Sequence, residues 1–230
     1  MQLAVKFPFL RSMSLQEMLD YGLFAASYLE VFLAVFFYFS LLYFVLGFLV
    51  ERTSRFLVSK SILHKIVYQD IAPGQLKRKI AYSLSSILVF ALTADLLVFL
   101  MRVELLHIAK ESWKNLLLGL FVLSLWNEIH FFIVHRLLHT PRCMRQIHYI
   151  HHLSRVPTVY SIYSFHWVEA FALGLVPIVV LCMMPLSPMT LALYPIVSIL
   201  INWVGHVNYR FGHAKGPSWI NLASNHNQHH

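Results

Sequence analysis

From Val31 to Val50 the chain runs for twenty residues without a charge. As a helix rising about 1.5 Å per residue, that run is about 30 Å long, the thickness of a bilayer's hydrocarbon core. Inside lipid no water can bond the backbone, so a lone spanning segment must satisfy its own N–H and C=O groups. That condition selects an α-helix, and a bundle of helices around it. Composition agrees. Of 230 residues, 58% are hydrophobic and 12% charged, with mean hydropathy +0.64. A soluble domain carries about 25% charged residues, so this chain cannot cover itself with polar side chains. We expect one all-α, membrane-embedded domain over residues 1–230.

Local signals divide the chain. Ser14 followed by Glu17 reads as a capping box that starts a helix. Pro73-Gly74 marks a turn. A second span covers about residues 81–101 and carries Asp95, whose charge would be costly there unless paired or functional. A third covers about 115–134 and runs without a breaker into His135, until Pro141 stops it. Apolar stretches at 168–184 and 189–205, joined by Pro185-Leu186-Ser187-Pro188, make either two short crossings or a re-entrant hairpin. The total is four or five membrane helices. Lys6, Pro8 and Arg11 interrupt the first apolar stretch, so the first span reads as an uncleaved anchor rather than a signal peptide. Cys143 and Cys182 imply no disulfide framework. No internal repeat is visible.

Charge orients the bundle. Lys and Arg number seven in 51–80, four in 135–166 and two in 206–230, against two in 1–30 and three in 102–114. Thirteen against five fits the positive-inside rule, with the basic segments cytoplasmic. The net charge of +8 therefore reads as basic loops on a multi-pass protein, in a bacterial inner membrane or endoplasmic reticulum, and not as a nucleic-acid surface.

Fourteen histidines are unevenly spread, two before His130 and twelve from it onward. Eight form three groups: His135 and His139 in HRLLH; His148, His151 and His152 in HYIHH; His226, His229 and His230 in HNQHH. Positions i, i+3 and i+4 share a helix face, so each group can aim its imidazoles at one point. A single HxxxH is weak. One HxxxH followed by two HxxHH is a strong metal signal, since imidazole is the commonest protein metal ligand. For one histidine a structural role is the better reading; for the set it is not, because crowded imidazoles that protonated would repel one another. Eight nitrogens suit two ions with about four each and open positions. The absence of HExxH argues against a zinc protease of that type.

The three groups resemble the histidine motifs of the fatty acid hydroxylase/sterol desaturase superfamily. The resemblance extends to Trp126-Asn127-Glu128-Ile129-His130, Pro157-Thr158, Ser164-Phe165-His166-Trp167-Val168-Glu169 and His206-Val207-Asn208, and covers about residues 60–230. It implies a non-haem di-iron oxygenase of the membrane, its histidines held in a cytoplasmic helical cap. O2 would be the co-substrate, and zinc could replace iron on purification. The reaction it implies is hydroxylation or desaturation of a membrane lipid, fatty acyl chain or sterol. By the same resemblance the eight histidines are ligands, with His130, His206 and His166 as further candidates and no catalytic residue beyond the ligands. Glu128 stands where members commonly carry Asp, nearly two turns before His135, and could orient an imidazole from behind the metal; the competing reading is a buried polar residue bonded to a neighbouring helix. His213, His64 and His107 fall outside the motifs' ligand positions. No haem or flavin motif is present, so electrons would come from cytochrome b5, a ferredoxin or a reductase. Members usually continue past the third group, so truncation at His230 is expected. The alternative weighed is a membrane zinc-binding or transport protein without redox catalysis. It would need histidines or carboxylates inside the spans. A b-type cytochrome would need axial histidines on facing spans, and an inactive scaffold would fit if the tail were lost.

Overall fold

The computed structural model describes residues 14–65, 68, 71–153, 156, 158–206 and 209–211, with backbone only at 204–206, 210 and 211. The third histidine group, His213 and the side chain of His206 lie outside the described residues.

Helix α1 (Leu15–Phe24) begins where the Ser14–Glu17 capping box closes, Ser14 Oγ accepting from the Glu17 N–H and Glu17 accepting from the Ser14 N–H at 2.7 Å. A second capping box, Ser27 with Glu30, starts α2 (Tyr28–Ser59), so the N-terminal segment bends between two helices instead of running straight into the span. After α2 comes a short strand, β1 (Leu63–Lys65). Gly74, at φ +78°, supplies the left-handed turn that launches α3 (Gln75–Arg102). Ser112 caps α4 (Trp113–Leu138).

Three helices, α2, α3 and α4, are long and apolar enough to cross a membrane. They account for three of the four or five membrane helices expected; the remaining apolar stretches, over 168–184 and 189–205, form shorter helices. The stretch over 168–184 is two short helices, α7 (Trp167–Gly174) and α8 (Val176–Met183), broken at Leu175 ahead of Pro177. α9 (Pro188–His206) contains Pro195. These form a short apolar hairpin packed against α3 and α4. The all-α expectation also needs one amendment: β2 (Tyr209–Phe211) pairs antiparallel with β1, Leu63 opposite Phe211 and Lys65 opposite Tyr209. That pairing puts the chain leaving α9 beside the chain leaving α2, at the same end of the bundle.

Two apolar clusters hold the bundle. One joins α1 to the far ends of the long helices through Val31, Leu97, Met101, Leu123, Val180 and Tyr194. The other gathers Tyr43, Ile87, Ile162, Tyr163, Phe165 and Trp203 around the segment that follows the second histidine group. At the first cluster Arg102 donates to the carbonyls of Leu23 (2.8 Å), Gly22 (3.2 Å) and Ala26 (2.6 Å), and its guanidinium lies over the Tyr28 ring. Those carbonyls end α1 and would otherwise lack partners. Asp95 is half-buried in α3, two turns before Arg102 and on the same face. Cys143 and Cys182 are free thiols.

Close helix approach depends on small residues, as expected in lipid, where tail and side chain are equally apolar. A Cβ on Gly119 of α4 would meet Thr190 of α9 at 2.8 Å. Gly119→Val should therefore overpack this contact at about 1–3 kcal/mol, lowering Tm by roughly 2–4 °C per kcal/mol. Gly22→Ala, which meets nothing within 4 Å, should leave Tm unchanged or slightly raised. Equal shifts in a detergent melting assay would contradict the packing.

Candidate metal centre

α4 carries the first histidine pair beyond its apolar stretch. His135 lies in its last turn, and His139 caps it, its N–H donating to the His135 carbonyl at 3.1 Å. Pro141 then opens a new helical segment at right register for a fresh start, α5 (Pro141–Cys143). A π-helical turn follows over Met144–His148, and α6 (Tyr149–His152) completes the run. The wide π turn was not foreseen. Such turns re-aim the side chains that follow and recur at functional sites. His148 ends this one.

Five imidazoles meet here. Ring centroids lie 4.5 Å apart for His135 and His139, 4.8 Å for His135 and His148, and 4.9 Å for His139 and His148. His152 sits 4.9 Å from His148 and 5.4 Å from His139, and His151 5.2 Å from His148. The two groups predicted to converge do so. One nitrogen each from His135, His139 and His148 falls within a set no more than 4.8 Å across. The Nε2 atoms of His135 and His139 are 3.1 Å apart. Two nitrogens bound to one ion at about 2.0–2.1 Å would be separated by roughly 3 Å, so this spacing fits a shared cation.

His148 makes the strongest case for a metal. It is fully buried. Its Nδ1 donates to Glu169 Oε2 at 3.1 Å, and Glu169 is itself buried at the start of α7. A neutral imidazole that donates from Nδ1 presents a lone pair at Nε2. Among the described residues that Nε2 has no hydrogen-bond partner. A buried acceptor left unmade is costly; a cation held between the imidazoles would satisfy it. The carboxylate–histidine arrangement is the one that orients metal-binding imidazoles.

The carboxylate doing this is Glu169. Glu128, expected behind His135, is exposed and accepts from Asn127 Nδ2 at 3.1 Å. One sequence signal pointed to Glu169: Asp and Glu are absent from 129–168, so it is the first acid after the histidines begin. Of the further candidate ligands, His130 spends Nε2 on the Ala172 carbonyl at 2.9 Å, bracing α4 against α7. His166 caps α7, Nδ1 accepting from the Val168 N–H at 3.2 Å.

The cap is strapped to the bundle by one face of α3. Gln75 and Lys79 donate to the Val156 carbonyl, Arg78 to that of Leu153 and Ser83 to that of Tyr160. Tyr43 of α2 also donates to Tyr160, and Trp203 of α9 to Val159. Phe165 stacks on His151 at 5.6 Å. These carbonyls flank the second histidine group on its C-terminal side, so three helices fix where that group sits.

Residues 120–230 match the family model described as fatty acid hydroxylase. Over these residues the chain is similar to the fatty acid hydroxylase family. The matched segment starts within α4 and holds every histidine motif; the resemblance read from about residue 60 is supported over 120–230. Comparison with curated proteins and with solved structures returned no match.

Glu169→Ala should weaken metal binding about 10- to 100-fold, read by competition with a chromophoric chelator. His107→Ala, in the loop between α3 and α4, should leave it unchanged. Equal affinities in both variants would show that Glu169 does not support the centre.

Proposed function

We propose that this protein oxidises a C–H bond of a membrane lipid with O2, at two irons held by its histidine groups, giving a hydroxyl group or a double bond. The observation that carries this reading is the convergence of two histidine groups on a buried imidazole whose outward nitrogen has no hydrogen-bond partner among the described residues, within the segment that matches the fatty acid hydroxylase model. His135, His139, His148, His151 and His152 would supply ligands from the described residues, with His226, His229 and His230 as the remaining set. Iron held there would supply the redox chemistry; the overall conversion consumes O2, two electrons and two protons and gives a hydroxylated lipid with one water, or a desaturated lipid with two.

The residues do the rest. Glu169 holds His148 in the tautomer that offers Nε2. Phe165 and Phe131 stack on His151 and His135 and hold those rings in place. The hydrogen bonds from α3 to Val156 and Tyr160 fix the chain that follows the second group. An acyl chain or sterol would arrive laterally from the bilayer. Thirteen Lys and Arg on the histidine side against five opposite support a cytoplasmic placement. Electrons would come from cytochrome b5, a ferredoxin or a reductase.

The test joins anaerobic purification and metal analysis to lipid profiling of expressing cells. About two irons per chain and a new oxygenated or unsaturated lipid are expected. Tightly bound zinc with no lipid change would favour metal binding without redox chemistry. His151→Ala should abolish turnover; full turnover by that variant would remove it from the ligand set.

A further inference from the structure

A cavity of about 320 Å³ opens between the end of α2, the start of α3 and the strap, residues 158–160 after the second histidine group. It lies apart from the imidazoles. Phe48, Leu76 and Tyr160 form apolar and aromatic wall, and Glu51, Arg52 and Arg55 bring charge to it. Its volume falls within the ordinary range of small-molecule pockets, about 300–1,000 Å³.

Its depth is informative. The charge-free run of α2 ends at Val50, and the three charged residues follow within five positions. Charges that appear one turn beyond a spanning run lie at headgroup level. The charges do not cancel. Arg55 Nε bonds Glu51 Oε1 at 2.7 Å, one turn apart on the helix. Arg52 is exposed, lies over the Phe48 ring at 5.3 Å, and has no carboxylate partner among the described residues. One guanidinium is therefore surplus, in a pocket whose other walls suit hydrocarbon. A basic pocket between membrane helices at this level is a place for an anionic lipid headgroup, and a guanidinium matches phosphate geometry in a way an ammonium does not.

We propose that this cavity binds an anionic phospholipid, its phosphate on Arg52 and the first part of an acyl chain along Phe48 and Leu76. Binding there needs neither metal nor turnover. The ligand touches the strap through Tyr160, whose carbonyl is held by Tyr43 and Ser83, so a bound lipid also buttresses the segment that follows the second histidine group.

The test is native mass spectrometry of the full-length protein in detergent. It is offered palmitoyl-oleoyl phosphatidylglycerol, or phosphatidylcholine with the same chains, with and without excess inorganic phosphate. Preferential retention of phosphatidylglycerol is expected. Arg52→Gln should reduce that preference about tenfold, the loss of one charge-assisted hydrogen bond. Lys60→Gln removes a nearby exposed cation that does not line the cavity, and should keep the preference. Leu76→Trp, filling the cavity from its α3 wall, should lower retention of both lipids. Equal retention of the two lipids by the parent protein, or equal loss in the Arg52 and Lys60 variants, would overturn the site. Unchanged retention in the Leu76 variant would overturn the acyl-chain contact. Full displacement by inorganic phosphate would show a phosphate site and not a lipid site.

Discussion

A buried imidazole has two nitrogens to satisfy, and the structure satisfies one of those on His148 with a buried carboxylate. The other points toward His135 and His139. In a low-dielectric interior neither an unpaired lone pair nor an uncompensated carboxylate is cheap. A cation held among the imidazoles would resolve both at once, taking the lone pairs and balancing the Glu169 charge through the ring. The rest of the architecture holds this arrangement in place.

The membrane helices contribute position more than chemistry. α4 carries its first histidine pair out of the apolar layer with no break, so the pair inherits the rigidity of a 26-residue helix. α3 runs the opposite way, and its first turns offer Gln75, Arg78, Lys79 and Ser83 to carbonyls around the strap. Lys79 is almost fully buried. A buried ammonium bonded to a backbone carbonyl is an expensive way to hold a loop, which indicates how tightly that loop is placed. The β1–β2 pairing then brings the chain after α9 back to this same end.

Much of this was legible in the sequence because its signals are local. Helix periodicity made HRLLH and HYIHH metal-like, Pro141 broke the helix where expected, and Pro73-Gly74 turned the chain. The bend between α1 and α2 was equally local: Ser27 and Glu30 repeat the capping pattern read at Ser14, but inside an apolar context that drew attention to the span. Other features were not local. The Glu169–His148 bond joins residues 21 apart; the break at Leu175, by contrast, has a local signal in Pro177, which a hydropathy average over the run passes by. Glu128 drew attention because it shares a helix face with His135; face-sharing along one helix says nothing about which neighbour a side chain can reach across the bundle.

X-ray absorption at the iron edge of the iron-loaded protein tests the central claim most directly, because it reads ligand type and metal–metal contact without relying on activity. A shell dominated by imidazole nitrogen, with scattering from a second iron, is the expected result. A single-iron spectrum, or a shell dominated by sulfur or by water and carboxylate oxygen, would contradict a histidine-held dinuclear centre.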